Sequence, residues 1–147
     1  MTTDLVAFLR ARLDEDHRIA AVAAGMDAGS SWVADDYDVL GDGTAAEATS
    51  FPQAEHIARH DPARVLREVA AKRRILFAHE PVLLRKGSGA DYYVTATVCR
   101  TCGGTDALYD DGTAPPDRPA AYPCPTLRLL ALPYADHPDY QEEWRPE

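Results

Sequence analysis

Four side chains of this sequence have the types and spacing to close a metal site: His79, Cys99, Cys102 and Cys124, in the pattern His-x19-Cys-x2-Cys-x21-Cys. Thiolate and imidazole are soft or borderline ligands, and four of them form the closed tetrahedral set of a structural zinc site. Every cysteine in the chain is then used. A strand that runs into Cys99-Arg-Thr-Cys102, with Gly103-Gly104 behind it, has the form of a zinc knuckle. Glycine there lets backbone N–H groups approach the sulfurs. The cofactor this pattern calls for is Zn2+ in a structural role.

Other chemistries for the same residues stay open, because the His79 and Cys124 separations are not those of a common zinc finger. A redox Cys-x2-Cys pair sits at a helix N-terminus in thioredoxin-like folds, whereas Cys99 and Cys102 follow a predicted strand and precede two glycines. Three unliganded thiols are a further reading. A catalytic zinc needs an open coordination position and a base; Asp106, Asp110 or Asp111 could supply the base, but four ligands leave no vacancy. His56 and His60 are four apart, as in helical metalloprotease motifs, yet Ile57 stands where those motifs carry glutamate, so the pair reads as surface or capping histidines. Gly41-Asp-Gly43 and Gly87-Ser-Gly89 are turns, not phosphate loops. No catalytic residue and no organic cofactor site is assigned.

The elements that must position the four ligands follow from periodicity. Asp4 caps a helix running to about Ala24, with Leu5, Phe8, Leu9, Leu13, Ile19 and Val22 near one face. Arg12 and Asp16 share that helix at a spacing of four. Residues 30–50 form a β-hairpin region, with Trp32 to Leu40 as its strands and Gly41-Asp-Gly43 closing it. A helical pair covers 52–80: a short helix from Gln53 to His60, then one from Pro62 to about Glu80, begun by Asp61 at the N-cap and Pro62 at the first position. Val65, Val69, Leu76 and His79 lie in one narrow sector of that second helix, so His79 is expected to face the core.

Beyond it, Arg85 to Ala90 reads as a loop and Asp91 to Val98 as the best strand in the chain. Residues 105–123, rich in Asp, Gly and Pro, read as a surface loop. Cys124 precedes Pro125 at the N-cap of a helix to Leu132, where the helix dipole favours a thiolate; Pro133 stops it. A last short helix beginning at Pro138 is expected to set Tyr140 against Trp144.

The 147 residues, 46% hydrophobic and 27% charged, fit one globular domain that needs no disulfide staples. No apolar run approaches the roughly 20 residues of a membrane span. The start, Met1-Thr-Thr-Asp-Leu5, lacks the basic and apolar regions of a signal peptide, so the expected location is the cytoplasm. An odd number of cysteines in a reducing compartment also points away from a disulfide framework. The net charge of −9 argues against general nucleic-acid binding, although Arg59 to Lys86 holds eight of the fifteen basic residues against Asp61, Glu68 and Glu80. That stripe carries +5 and leaves −14 for the remainder. With Phe77 the one aromatic residue among them, it reads as a solvated face pairing with acids such as Asp14, Glu15 and Asp16, and an anion- or nucleic-acid-binding stripe is the alternative.

Three blocks carry a resemblance: Leu5-Val-Ala-Phe-Leu-Arg-Ala-Arg-Leu-Asp-Glu-Asp16, His56-Ile-Ala-Arg-His-Asp-Pro-Ala-Arg-Val-Leu66, and Cys124 through Tyr140. The chain resembles an uncharacterised actinobacterial family filed as a domain of unknown function, DUF6221. The resemblance implies an actinobacterial or actinophage origin, with which the arginine-heavy composition agrees, and it implies no activity.

Together these readings give an α+β domain: two long helices, a small antiparallel sheet and, over 91–147, a knuckle strand, loop and C-terminal helices tied by zinc to the second helix. The expected role is a small zinc-stabilised binding or adaptor protein, not an enzyme, whose partner is a protein or a second copy met through the first helix. A nucleic-acid-associated regulator using the 59–86 stripe, and a thiol redox sensor or enzyme using Cys99 and Cys102, are the competing functions.

Overall fold

The computed structural model describes residues 5–86, 93–102 and 122–146. Among them are four α-helices and two small antiparallel sheets, so the chain is α+β. In chain order these are α1 (Leu5–Ala24), β1 (Val33–Asp35), β2 (Asp38–Leu40), β3 (Thr44–Glu47), α2 (Phe51–Arg59), α3 (Pro62–Ala78), β4 (Pro81–Lys86), β5 (Tyr93–Cys99) and α4 (Pro125–Ala131). Two compact units share them: a central unit of residues 11–73, and a terminal unit of the described residues in 1–10 and 74–147. Among the described residues no helix is long and apolar enough to cross a membrane.

The central unit is held together by small side chains. β1, β2 and β3 form a meander with Ala34 opposite Val39 and Val39 opposite Ala46. The turn between β1 and β2 places Asp36 at φ 53°, a left-handed conformation that Asp tolerates better than most residues. Val39 is fully buried against Ala54 and Ala58 of α2, and Trp32, Ala34, Ala45, Ala46, Ala48 and Ile57 pack around them. Alanine on both surfaces lets the helix lie close to the sheet, and it also explains why β3 was not read in the sequence: Thr-Ala-Ala-Glu has little strand propensity of its own. Gly41 is required by contact, since a Cβ there would sit 1.9 Å from the carbonyl oxygen of Ala28.

Asp61 starts α3 as its spacing predicts. Its Oδ1 accepts from the Arg64 N–H at 2.7 Å, while its Oδ2 accepts from the Trp32 N–H at 3.3 Å. In the basic stripe, Arg73 pairs with Asp14 at 2.6 Å and Arg64 with Glu68 at 2.8 Å, both at the surface. Arg12 pairs with Glu15 at 2.8 Å. His60 donates from Nδ1 to the His56 carbonyl at 2.8 Å at the end of α2, a capping role, and no third ligand joins the two among the described residues.

The reading of α1 needs correction in its second half. Leu5, Phe8, Leu9 and Leu13 are buried as expected, but Ile19 and Val22 are 54% and 61% exposed, and Ala20 is buried instead. At about 100° per residue Ile19 still falls between the buried Phe8 and Leu5, so its exposure reflects what packs on that side farther along the helix and not its angle, whereas Val22 lies just outside the buried arc.

In the terminal unit, the ring of Phe8 is surrounded by Tyr134, His137, Tyr140 and Trp144, at centroid separations of 6.3, 5.7, 6.1 and 5.0 Å. Tyr140 meets Trp144 edge to face at 5.7 Å, as expected, but not on a helix starting at Pro138. The chain turns there, and only Glu142–Trp144 forms a single 3-10 turn. Phe8 supplies the apolar surface that gathers these rings, which sequence spacing between Tyr140 and Trp144 does not show. β4 pairs with β5 from Pro81 opposite Cys99 to Lys86 opposite Tyr93. Arg85 and Lys86 therefore belong to a strand and not to a loop, because the long β5 offers an edge that the short Pro-Val-Leu-Leu run could not advertise alone. The Asp4 cap, Gly87 to Tyr92, and the 105–123 loop up to residue 121 lie outside the described residues.

Candidate metal centre

Three elements of the terminal unit each end on a ligand. His79 is the first residue beyond α3, still tied to it by its N–H to the carbonyls of Ile75 and Leu76 at 3.1 and 3.2 Å. Cys99 is the last residue of β5, and the chain reverses through Arg100 and Thr101 to Cys102. Cys124 is the N-cap of α4, with extended backbone angles and Pro125 at the first helical position. Its carbonyl accepts from the N–H groups of Leu127 and Arg128 at 3.1 and 3.2 Å.

The three sulfurs surround one nitrogen. Cys99, Cys102 and Cys124 Sγ lie 3.3, 3.4 and 3.5 Å from His79 Nδ1. All four ligand atoms fall within 4.8 Å of one another. A tetrahedral ion with bonds of about 2.3 Å to sulfur and about 2.0–2.1 Å to nitrogen sets N···S separations near 3.6 Å, so the observed spacing and the donor types both fit. The cluster of His79, Cys99, Cys102 and Cys124 could hold a metal ion and could tie a C-terminal lobe to the end of α3. Cys99 and Cys124 are each 1% exposed, whereas His79 and Cys102 are half-buried.

The environment separates the thiols. Burial pushes Cys99 up, but N–H groups of Cys102 and Thr101 and the Cys124 and Cys102 thiols outweigh it and hold Cys99 below the ordinary thiol range. The Cys102 N–H donates to Cys99 Sγ at 3.3 Å. Burial pushes Cys124 up to about 11; the Leu127 N–H opposes this, and the nearby Cys99 and Cys102 add to it. Three thiolates this close repel one another, and a cation among them removes that repulsion.

Residues that sequence reasoning passed over hold the knuckle in place. The Thr101 hydroxyl donates to the Ala78 carbonyl at 2.5 Å, and the Arg100 N–H donates to the Glu80 carbonyl at 3.0 Å. Glu80 accepts from Arg10 at 3.0 Å and from Arg100 at 3.4 Å. The Arg100 guanidinium also stands 5.2 Å over the Phe77 ring. The signal available was the pair between the cysteines: Arg-Thr offers donors, and donors inside a tight turn call for acceptors nearby.

Residues 2–146 match the family of unknown function DUF6221. No curated protein and no solved structure matches the chain.

Proposed function

We propose, for a chain that belongs to the DUF6221 family of unknown function, that His79, Cys99, Cys102 and Cys124 hold one structural zinc ion and that the protein is a small binding or adaptor module built around it. The observation that carries this reading is the placement of three sulfurs at 3.3, 3.4 and 3.5 Å around His79 Nδ1. Three thiolates and an imidazole in tetrahedral array favour zinc over magnesium or calcium, which take oxygen ligands. With every coordination position filled by protein, the site would crosslink and not catalyse.

Bound zinc would supply four coordinate bonds joining the end of α3, the knuckle after β5 and the start of α4. The chain's own contribution is to hold three of those ligands ready: Thr101 and Arg100 fasten the knuckle to the last residues around α3, beside His79. Cys124 is the ligand that arrives from a distant part of the sequence, so the ion would fix α4 where a short helix of seven residues cannot fix itself.

A protein partner is supported by Ile19 and Val22 on α1 and Met26 just beyond its end, which are 54%, 61% and 64% exposed. The partner would be another protein or a second copy, and the compartment the cytoplasm. The nucleic-acid reading is disfavoured by the pairing of Arg64 and Arg73 with Glu68 and Asp14. Elemental analysis and native mass of protein prepared without chelator or nickel test the central claim: one zinc per chain is expected, and a metal-free chain with three titratable free thiols overturns it.

A further inference from the structure

We infer that Cys102 is the reactive thiolate of the cluster and an oxidation site for hydroperoxides, with Cys99 as the partner that resolves the oxidised sulfur into a Cys99–Cys102 disulfide. The inference rests on the zinc reading above and adds to it a way of undoing the site. It starts from an asymmetry: Cys99 and Cys124 are each 1% exposed, and Cys102 is half-buried. Cys102 is therefore the least buried of the three, and the one an oxidant from solvent would meet first. Cys99 Sγ is in addition engaged by the Cys102 N–H at 3.3 Å, a bond that draws electron density from the sulfur and blunts its nucleophilicity.

The chemistry balances with a hydroperoxide as the only co-reactant. Cys102 Sγ, as thiolate, attacks the terminal peroxide oxygen; the O–O bond breaks, hydroxide leaves from hydrogen peroxide or alkoxide from an organic hydroperoxide, and Cys102 becomes a sulfenic acid. Cys99 Sγ, within 4.8 Å, then attacks Cys102 Sγ, the S–O bond breaks, and hydroxide leaves. Two sulfurs have lost two electrons and the peroxide has gained them. The disulfide consumes two of the four ligands, leaving His79 and Cys124, too few to retain an ion. Cys124 is then free of its tie, so the oxidised chain releases the start of α4.

Protein loaded with one equivalent of zinc is treated with limiting hydrogen peroxide. Zinc release is followed with a chromogenic chelator, and the unreduced protein is digested and mapped by mass spectrometry. A parallel sample receives substoichiometric iodoacetamide. The expected result is one zinc released per Cys99–Cys102 disulfide, with Cys124 free, and alkylation at Cys102 exceeding that at the other two by about tenfold. First labelling at Cys124 or Cys99, equal labelling of all three, or a disulfide that includes Cys124 overturns the inference. Should the chain take up no zinc, the structural-site reading fails on that titration alone, and the order of alkylation in the metal-free chain still decides whether Cys102 is the accessible thiol.

Discussion

The central and terminal units solve the same problem with different materials. The central unit closes a small sheet against a short helix by using alanine on both faces, around one fully buried valine, Val39. Its contacts are ordinary van der Waals packing, helped by backbone donors and the two-armed Asp61. In the terminal unit, two of the largest fully buried side chains beside Leu9, Leu127 and Val98 are Cys99 and Cys124, which meet His79 and Cys102 in a polar, polarisable cluster. A second anchor there is the aromatic group around Phe8. The difference is that one unit rests on packing and local hydrogen bonds, whereas the other gathers a His/Cys cluster that could hold a metal ion.

Chelation should break that comparison most sharply. At free zinc about a thousandfold above its Kd, binding contributes about 4 kcal/mol, so a strong chelator should lower the melting temperature of the whole chain by about 8–16 °C. Hydrogen exchange resolved along the chain checks it: protection falls over 93–102 and 125–131 and stays unchanged over 33–59. Equal loss in both regions would contradict the division. Phe8→Ala should cost about 3–4 kcal/mol, through lost burial and lost ring contacts, in denaturant unfolding. Because zinc and Phe8 anchor different parts of the C-terminal chain, the variant should still bind one zinc ion, measured by titration.

Gly41→Ala tests the central unit in the opposite sense, by adding an atom. Its Cβ would meet backbone oxygens of Ala28 and Ser31 and the Trp32 ring, at 1.9, 3.0 and 3.0 Å, and backbone cannot yield as a side-chain tip would. A loss of about 1–3 kcal/mol is expected, with zinc content unaffected. Thr101→Val is the mildest change: losing the hydroxyl bond to Ala78 should cost about 1 kcal/mol, and competition with a chromogenic chelator should show weaker zinc binding by about fivefold. An unchanged affinity would mean that the knuckle holds its shape without that bond.

How far the sequence could be read differs between these regions for physical reasons. The start of α3 was legible because Asp-Pro is a local signal whose effect is exerted within one turn. The His79, Cys99, Cys102 and Cys124 cluster was legible as a candidate because soft donors are rare and the three cysteines and one inward histidine stand at separations that one site can close. Ile19 and Val22 misled because apolar type does not say which side of a helix has a neighbour. β3 and β4 were missed because their residues are weak or short strand formers, and each becomes a strand only by pairing, β3 with β2 and β4 with β5.

By itself the sequence determined the donor set, the Asp61 start of α3 and the stretches that become α1 to α4, all of which depend on residue type and on spacings of a few residues. Only the tertiary structure decided that His79 Nδ1 faces all three sulfurs, that Cys102 is the least buried of them, and that Thr101 and Arg100 fasten the knuckle to the end of α3. Those facts depend on separations of twenty to forty-five residues along the chain, which folding sets through the pairing of β4 with β5 and which local chemistry cannot.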